Sequence, residues 1–216
     1  MDFAGAYTPV HIKFLLEGFL VTLKVAGISI FFSFIIGGLI GTLRYAEIPV
    51  LSKLLAIIVE IVRNLPLLLI IFFTYFALPE IGIDLGITLS AIVALTVFES
   101  AMLSEIIRSG LNSIHKGQIE AGRSSGLTYV QTLRLIVLPQ ALRNMVPPIV
   151  SQFISLLKDT SLAVIIALPE LMHSAQIINA RSVNFIVPIF ILIAFMYFIV
   201  NYTLSILARR LELKNM

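Results

Sequence analysis

Long apolar runs alternate with short polar breaks along this chain. Val25 to Leu43 carries no charged residue, and neither does Ser182 to Ala208. About 20 apolar residues suffice to cross a bilayer as a helix. On that measure five spans are predicted, near residues 14–43, 54–78, 87–107, 149–168 and 185–208. Residues 1 to about 13 are polar and aromatic and predict a short interfacial helix. Arg44 to Lys53 forms a loop containing Pro49, and Pro66 marks a kink in the second span. Pro79 to Gly86 and Pro169 to Asn184 read as loops on the opposite face. Gly37 and Gly41 make a GxxxG pattern, which allows close helix contact or is ordinary membrane-helix glycine.

The stretch Gly117 to Pro148 is the one long polar, basic interruption. Thr128 and Gln131 fit a capping box, which predicts a helix from Tyr129 to about Val137. Pro139 disfavours helix at Leu138 and is expected to end it. Gln118 to Ser125 predicts a second short helix, and Gly126 falls where a left-handed C-terminal cap is needed. Pro147-Pro148 is expected to shape the entry to the fourth span. A polar insert of this kind reads as a docking surface or as a solvated loop.

Composition sharpens the picture. Hydrophobic residues make up 59% of the 216 residues and charged ones 12%, against about 25% charged in soluble domains. The bilayer is therefore the expected solvent, and the fold class is all-α and polytopic, one transmembrane domain over residues 1–216. No cysteine is present, which excludes disulfides and thiolate metal sites. No basic patch interleaves with aromatics, which argues against nucleic acid. The N-terminus lacks the basic region of a cleaved signal peptide, so the first apolar segment is expected to remain. Arg44, Lys53, Arg108, Lys116, Arg123, Arg134, Arg143, Arg209, Arg210 and Lys214 fall on one face, and Lys13 and Arg181 on the other. That asymmetry puts the insert and C-terminus in the cytoplasm and the N-terminus outside.

Candidate chemistry is sparse. Gly117 to Ser124 imitates the phosphate-loop pattern GxxxxGK[ST], but arginine replaces lysine and no strand precedes it. Any ATP dependence must then come from a partner. No nucleophile–base set, metal cluster or carboxylate pair suggests catalysis. His173 reads as a surface residue, and Glu60–Arg63 and Glu105–Arg108 as structural pairs at i,i+3.

Several segments together resemble a known family. Glu120-Ala121-Gly122, Gly126 and Ile136-Val137-Leu138-Pro139 look like the "EAA" loop of bacterial ABC importer permeases. Arg63-Asn64-Leu65-Pro66-Leu67-Leu68 is similar to the RGTPLL segment of the polar amino acid permeases, the histidine, glutamine and arginine uptake type. Ser104 to Gly110 resembles their AEIxRGG. Leu138 to Arg143 and Leu157 to Leu162 match as well. The resemblance covers nearly the whole chain. It implies a permease subunit that forms the translocation path for polar or basic amino acids. The insert becomes a cytoplasmic coupling-helix loop, with Glu120, Ala121, Gly122, Gly126, Leu138 and Pro139 contacting the ATPase. The implied partners are ABC ATPase subunits, which bind ATP and Mg, a second permease chain, and an external or periplasmic binding protein. No cofactor is expected in this chain, and lipid surrounds it. Two departures stand out. Gly122 replaces the second alanine of the loop, which is expected to loosen the short helix, and Glu99 stands where a neutral residue is usual.

Charges within a span are costly and often functional. Glu99, Lys158 and Asp159 all fall near mid-membrane. An amino acid zwitterion needs a negative group for its ammonium and a positive one for its carboxylate. Glu99 and Lys158 can supply these, with Ser100, Asp159 and Ser161 adding hydrogen bonds. A structural Glu99–Lys158 ion pair, or a path lined by these residues without a binding site, fits the sequence as well. An ion-gradient-driven secondary transporter with Glu99 and Asp159 as ion sites is the alternative function, though such transporters often carry repeats and none is seen here.

Overall fold

The computed structural model describes residues 1–215, with side chains through Ile206. Helices are Phe3–Ala6 (α1), Pro9–Tyr45 (α2), Leu51–Asn64 (α3), Leu67–Phe72 (α4), Gly86–Asn112 (α5), Lys116–Ser124 (α6), Tyr129–Thr132 (α7), Leu138–Asp159 (α8), Leu171–Asn179 (α9) and Ile186–Asn215 (α10). Among the described residues there is no strand. Among the described residues four helices are long and apolar enough to cross a membrane, and α3 with the segment after it is a fifth hydrophobic unit bent by 101°. The basic residues of the C-terminal tail, Arg209, Arg210 and Lys214, lie outside the described side chains.

The helices are packed for lipid rather than for water. On α2 most buried positions are small or polar, including Gly18, Thr22, Ala26, Ser29, Ser33, Gly37 and Gly41. Its phenylalanines 31, 32 and 34 and Leu39 point outward. In a bilayer nothing drives apolar side chains inward, and close contact falls to small residues. From Ser29 to Gly41 the stripe packs on α5, which also meets α3, α4 and α8, whereas Gly18 and Thr22 meet α9 and its cap. The glycine pattern is therefore a contact surface. A Cβ on Gly37 would lie 2.8 Å from the Ser100 carbonyl oxygen, and one on Gly41 2.6 Å from that of Ser104.

α5 is the central helix, and its neighbours define two apolar clusters. One contains Val25, Ile71, Leu95 and Ala163. The other contains Leu103, Ile107, Val137, Ala141 and Met145. Thr96, Glu99 and Ser100, all buried, fall between them on α5. A third cluster at the far end joins α1, α2, α9 and α10 through Ala6, Leu15, Leu171, Ala175 and Ile189.

The first span is longer than expected. Thr8 caps it at Pro9, and it runs to Tyr45, so the interfacial helix shrinks to α1. Pro66 does more than kink its span. Leu65 is extended (ψ 142°), and the helix restarts at Leu67 in a new direction. Proline disfavours helix at the residue before it, and here that preference is followed.

Pro139 does not end a helix. Leu138 is helical (φ −61°, ψ −43°) and its amide bonds the Leu133 carbonyl in a π turn over Leu133–Val137. The wider turn shifts the hydrogen-bond register, so Pro139, which has no N–H, continues the helix. The same device precedes Pro79, where Leu78 bonds Phe73 after a π turn over Phe73–Ala77. As a result α7, the π turn and α8 are continuous. Pro147 and Pro148 lie inside α8 instead of at its entry. The fourth span loses its α-helical form at Asp159 and continues as a 3₁₀ helix over Thr160–Ile166. Pro169 to Asn184 is no loop either, because it contains α9. Its cap, Glu170, is fully buried and His173 partly so.

Candidate functional site

The mid-span polar group gathers around α5 and α8. Glu99 is 1% exposed. Its Oε2 accepts a hydrogen bond from Gln152 Nε2 at 3.1 Å. Its other oxygen has no partner, and neither does the buried Thr96 hydroxyl one turn earlier on the same helix. Unpaired buried acceptors cost free energy, so this pair of oxygens is poised to receive donors. Ser100 donates to the Thr96 carbonyl at 2.6 Å and Ser161 to the Lys158 carbonyl at 2.7 Å. Both hydroxyls therefore keep only lone pairs for a ligand.

Lys158 is exposed and forms no ion pair with Glu99 or any other acid among the described residues. The structural pair that the sequence allowed is thus not made. Glu99 faces an amide instead, and the ammonium is free. Gln152 was overlooked in the sequence, although a lone amide within an apolar run is itself a signal.

Toward the insert, Glu105 is a hub rather than one half of a pair. Arg108 binds it from the next turn. Arg44 Nη1 reaches it from α2 at 2.9 Å and Arg63 Nη1 from α3 at 3.8 Å, with Glu60 3.8 Å from Arg63. Arg44 is only 9% exposed, so one carboxylate holds three helices around a nearly buried cation. Beside it a cavity of about 330 Å³ lies between α5 and α8, lined by Ser109, Gly110, Ser113, Asn144 and Pro148.

In the insert, α6 ends in a Schellman motif. Leu127 N bonds Gly122 O at 3.2 Å and Gly126 N bonds Arg123 O at 3.1 Å, with Gly126 left-handed (φ 86°). The capping box then starts α7. Gln131 N donates to Thr128 Oγ1 at 3.2 Å and Thr128 N to Gln131 Oε1 at 2.8 Å. Gly122 does not loosen the helix. It faces inward, and a Cβ there would lie 2.7 Å from Ile136 Cδ1, so the glycine brings α6 close to the π turn. Glu120, Ala121, Gly126, Leu138 and Pro139 are exposed. Gly117 to Ser124 lies within α6, so its amides cannot cradle a phosphate.

The model of the family of binding-protein-dependent transport system inner membrane components matches residues 29–215. The chain is 71% identical over 217 aligned residues, the full length of both proteins, to the probable glutamine ABC transporter permease protein GlnP of Bacillus subtilis (strain 168). It is 36% identical to the glutamine transport system permease protein GlnP of Escherichia coli (strain K12), over 93% of this chain and 92% of that one. The crystal structure of an amino acid ABC transporter with histidines superposes with a TM-score of 0.92 at 28% identity, covering 99% of each chain. None of these relatives supports an ion-gradient-driven carrier. With its apolar helices and this match along nearly its whole length, the chain belongs to the binding-protein-dependent transport system inner membrane component family and is a permease of the ABC transporter type.

Proposed function

We propose that this permease carries a polar amino acid, glutamine first among them, across a bacterial inner membrane. The observation that carries the reading is the mid-span group: a buried Glu99 with one free oxygen, and an unpaired Lys158 ammonium one helix away. The acid suits the substrate's ammonium or side-chain amide, and the ammonium suits its carboxylate. Asp159, Ser100 and Ser161 supply further acceptors. The names of the glutamine permeases among its relatives support the same substrate.

In this reading the insert faces the cytoplasm and the N-terminus faces outside, as the arginine and lysine asymmetry favours. Two permease chains, alike or related, enclose the path. Separate ATPase subunits bind ATP and Mg and dock on the exposed residues of α6 and on Leu138 and Pro139. An external binding protein delivers the amino acid. The test is Glu99→Gln in the reconstituted complex. Substrate-stimulated ATPase and uptake should fall while assembly stays intact. Unchanged stimulation and uptake would overturn the assignment of Glu99.

A further inference from the structure

Glu170 is fully buried, yet it belongs neither to the mid-span group nor to the insert. It caps α9, with Oε1 accepting from the His173 amide at 2.7 Å and Oε2 from the Met172 amide at 2.9 Å. A serine or aspartate caps a helix equally well. The longer glutamate also reaches two other helices. The Tyr197 hydroxyl of α10 donates to Oε2 at 3.2 Å, and the Thr22 hydroxyl of α2 at 3.5 Å. Thr22 in turn accepts from the Leu171 amide at 3.2 Å. A buried carboxylate is tolerated only when hydrogen bonds satisfy it, and four donors converge here on two oxygens.

The node extends to the mid-span group. The Tyr197 side chain also packs against the cluster of Ala26, Leu156 and Leu157, which ends directly before Lys158-Asp159. Thr160 is fully buried and directly follows Lys158-Asp159, and its hydroxyl donates to the Leu157 carbonyl at 2.8 Å. From Thr160 the 3₁₀ segment carries Ser161 and then reverses at left-handed Ala167 (φ 57°) to reach Glu170. One tyrosine therefore hydrogen-bonds Glu170 beyond this segment and packs against the cluster that precedes it.

We propose that Glu170, acting through Tyr197, is a positioning residue that holds the Leu157–Thr160 turn, and with it Asp159 and Ser161, in the register that meets substrate. This rests on reading Lys158, Asp159 and Ser161 as substrate-binding. Aspartate at 170 keeps the cap but is too short to reach Tyr197. Phenylalanine at 197 leaves the cap intact and removes the hydroxyl that ties Tyr197 to Glu170. A residue that only caps α9 would tolerate both changes.

The test uses the full complex with its ATPase subunits and binding protein in liposomes. It measures glutamine taken up per ATP hydrolysed, together with ATPase activity without amino acid. Glu170→Asp and Tyr197→Phe should each lower uptake per ATP roughly fivefold or more, since small misplacements of a binding group are costly. Assembly and amino-acid-independent ATPase should stay at wild-type levels. Wild-type uptake per ATP in Tyr197→Phe overturns the proposal, as does a parallel loss of uptake and ATPase. If Glu170→Asp fails to assemble, Tyr197→Phe alone decides. Asp159→Asn separates the two readings. Normal uptake there removes the substrate group and the positioning role together, whereas loss there beside a wild-type Tyr197→Phe removes only the positioning role.

Discussion

Alanine substitution in the α2 glycine stripe isolates how closely two membrane helices must approach. A Cβ at Gly41 meets the Ser104 carbonyl oxygen at 2.6 Å and Ile107 Cβ at 3.0 Å, whereas one at Gly38 finds its nearest neighbour at 3.9 Å. The obstacle at 41 is backbone, so no rotamer change relieves it. The helices must separate by roughly 0.8 Å to restore ordinary contact at 3.4 Å. Overpacking of this kind costs about 1–3 kcal/mol. Replacing glycine by alanine also adds up to about 1 kcal/mol of helix propensity at either site. That gain cancels when Gly41→Ala is compared with Gly38→Ala, leaving the packing cost. For a chain of this size each kcal/mol moves the melting temperature by roughly 2–4 °C. Thermal unfolding of the two purified variants should therefore differ by roughly 2–12 °C, with Gly38→Ala at or above wild type. Equal melting temperatures would refute the idea that the stripe sets the α2–α5 distance.

Two further outcomes follow from the hub and the insert. Glu105→Gln removes the only carboxylate paired with nearly buried Arg44 among the described residues and should cost about 3 kcal/mol. Glu60→Gln, at a side chain 68% exposed, should cost under about 1 kcal/mol; thermal unfolding of the two compares them directly. Thr128→Ala removes the side-chain acceptor for the Gln131 amide, worth about 1 kcal/mol. Hydrogen exchange at Gln131 should quicken roughly fivefold, and Thr128→Ser should restore it.

The sequence made most of the helices legible because the bilayer demands long uncharged runs, and α2, α5 and α10 meet that demand openly. The insert was legible for a different reason. Its cap, elbow and short helices are local devices, written in Thr128, Gln131 and Gly126. What stayed hidden depends on partners far along the chain. Glu170 sits in a polar stretch that reads as a loop, and its hydroxyl partners lie 148 and 27 residues away. Arg44 read as a loop charge because nothing local points to α5. Gly37 and Gly41 were visible as a pattern, but only the backbone opposite them shows what the pattern does. Pro139 misled because a rule about the residue before proline does not foresee a π turn upstream. Glu99 and Lys158 read as a possible pair from their positions within two spans, but the pair is not formed among the described residues.

The π turn ahead of Pro139 has a mechanical consequence. Because the helix is not interrupted there, one helical rod of 38 residues runs from Tyr129 to Ile166, roughly 50–60 Å long. The hydrocarbon core of a bilayer is about 30 Å thick, so the rod is nearly twice as long as the apolar layer it crosses. A push or tilt applied at its Thr128 end is not dissipated in a flexible linker. It travels along one stiff axis as a lever arm, and the Asp159 end moves with it. The softest points on that arm are Pro147 and Pro148, where two amides are missing from the ladder, and bending there is what would decouple one end from the other.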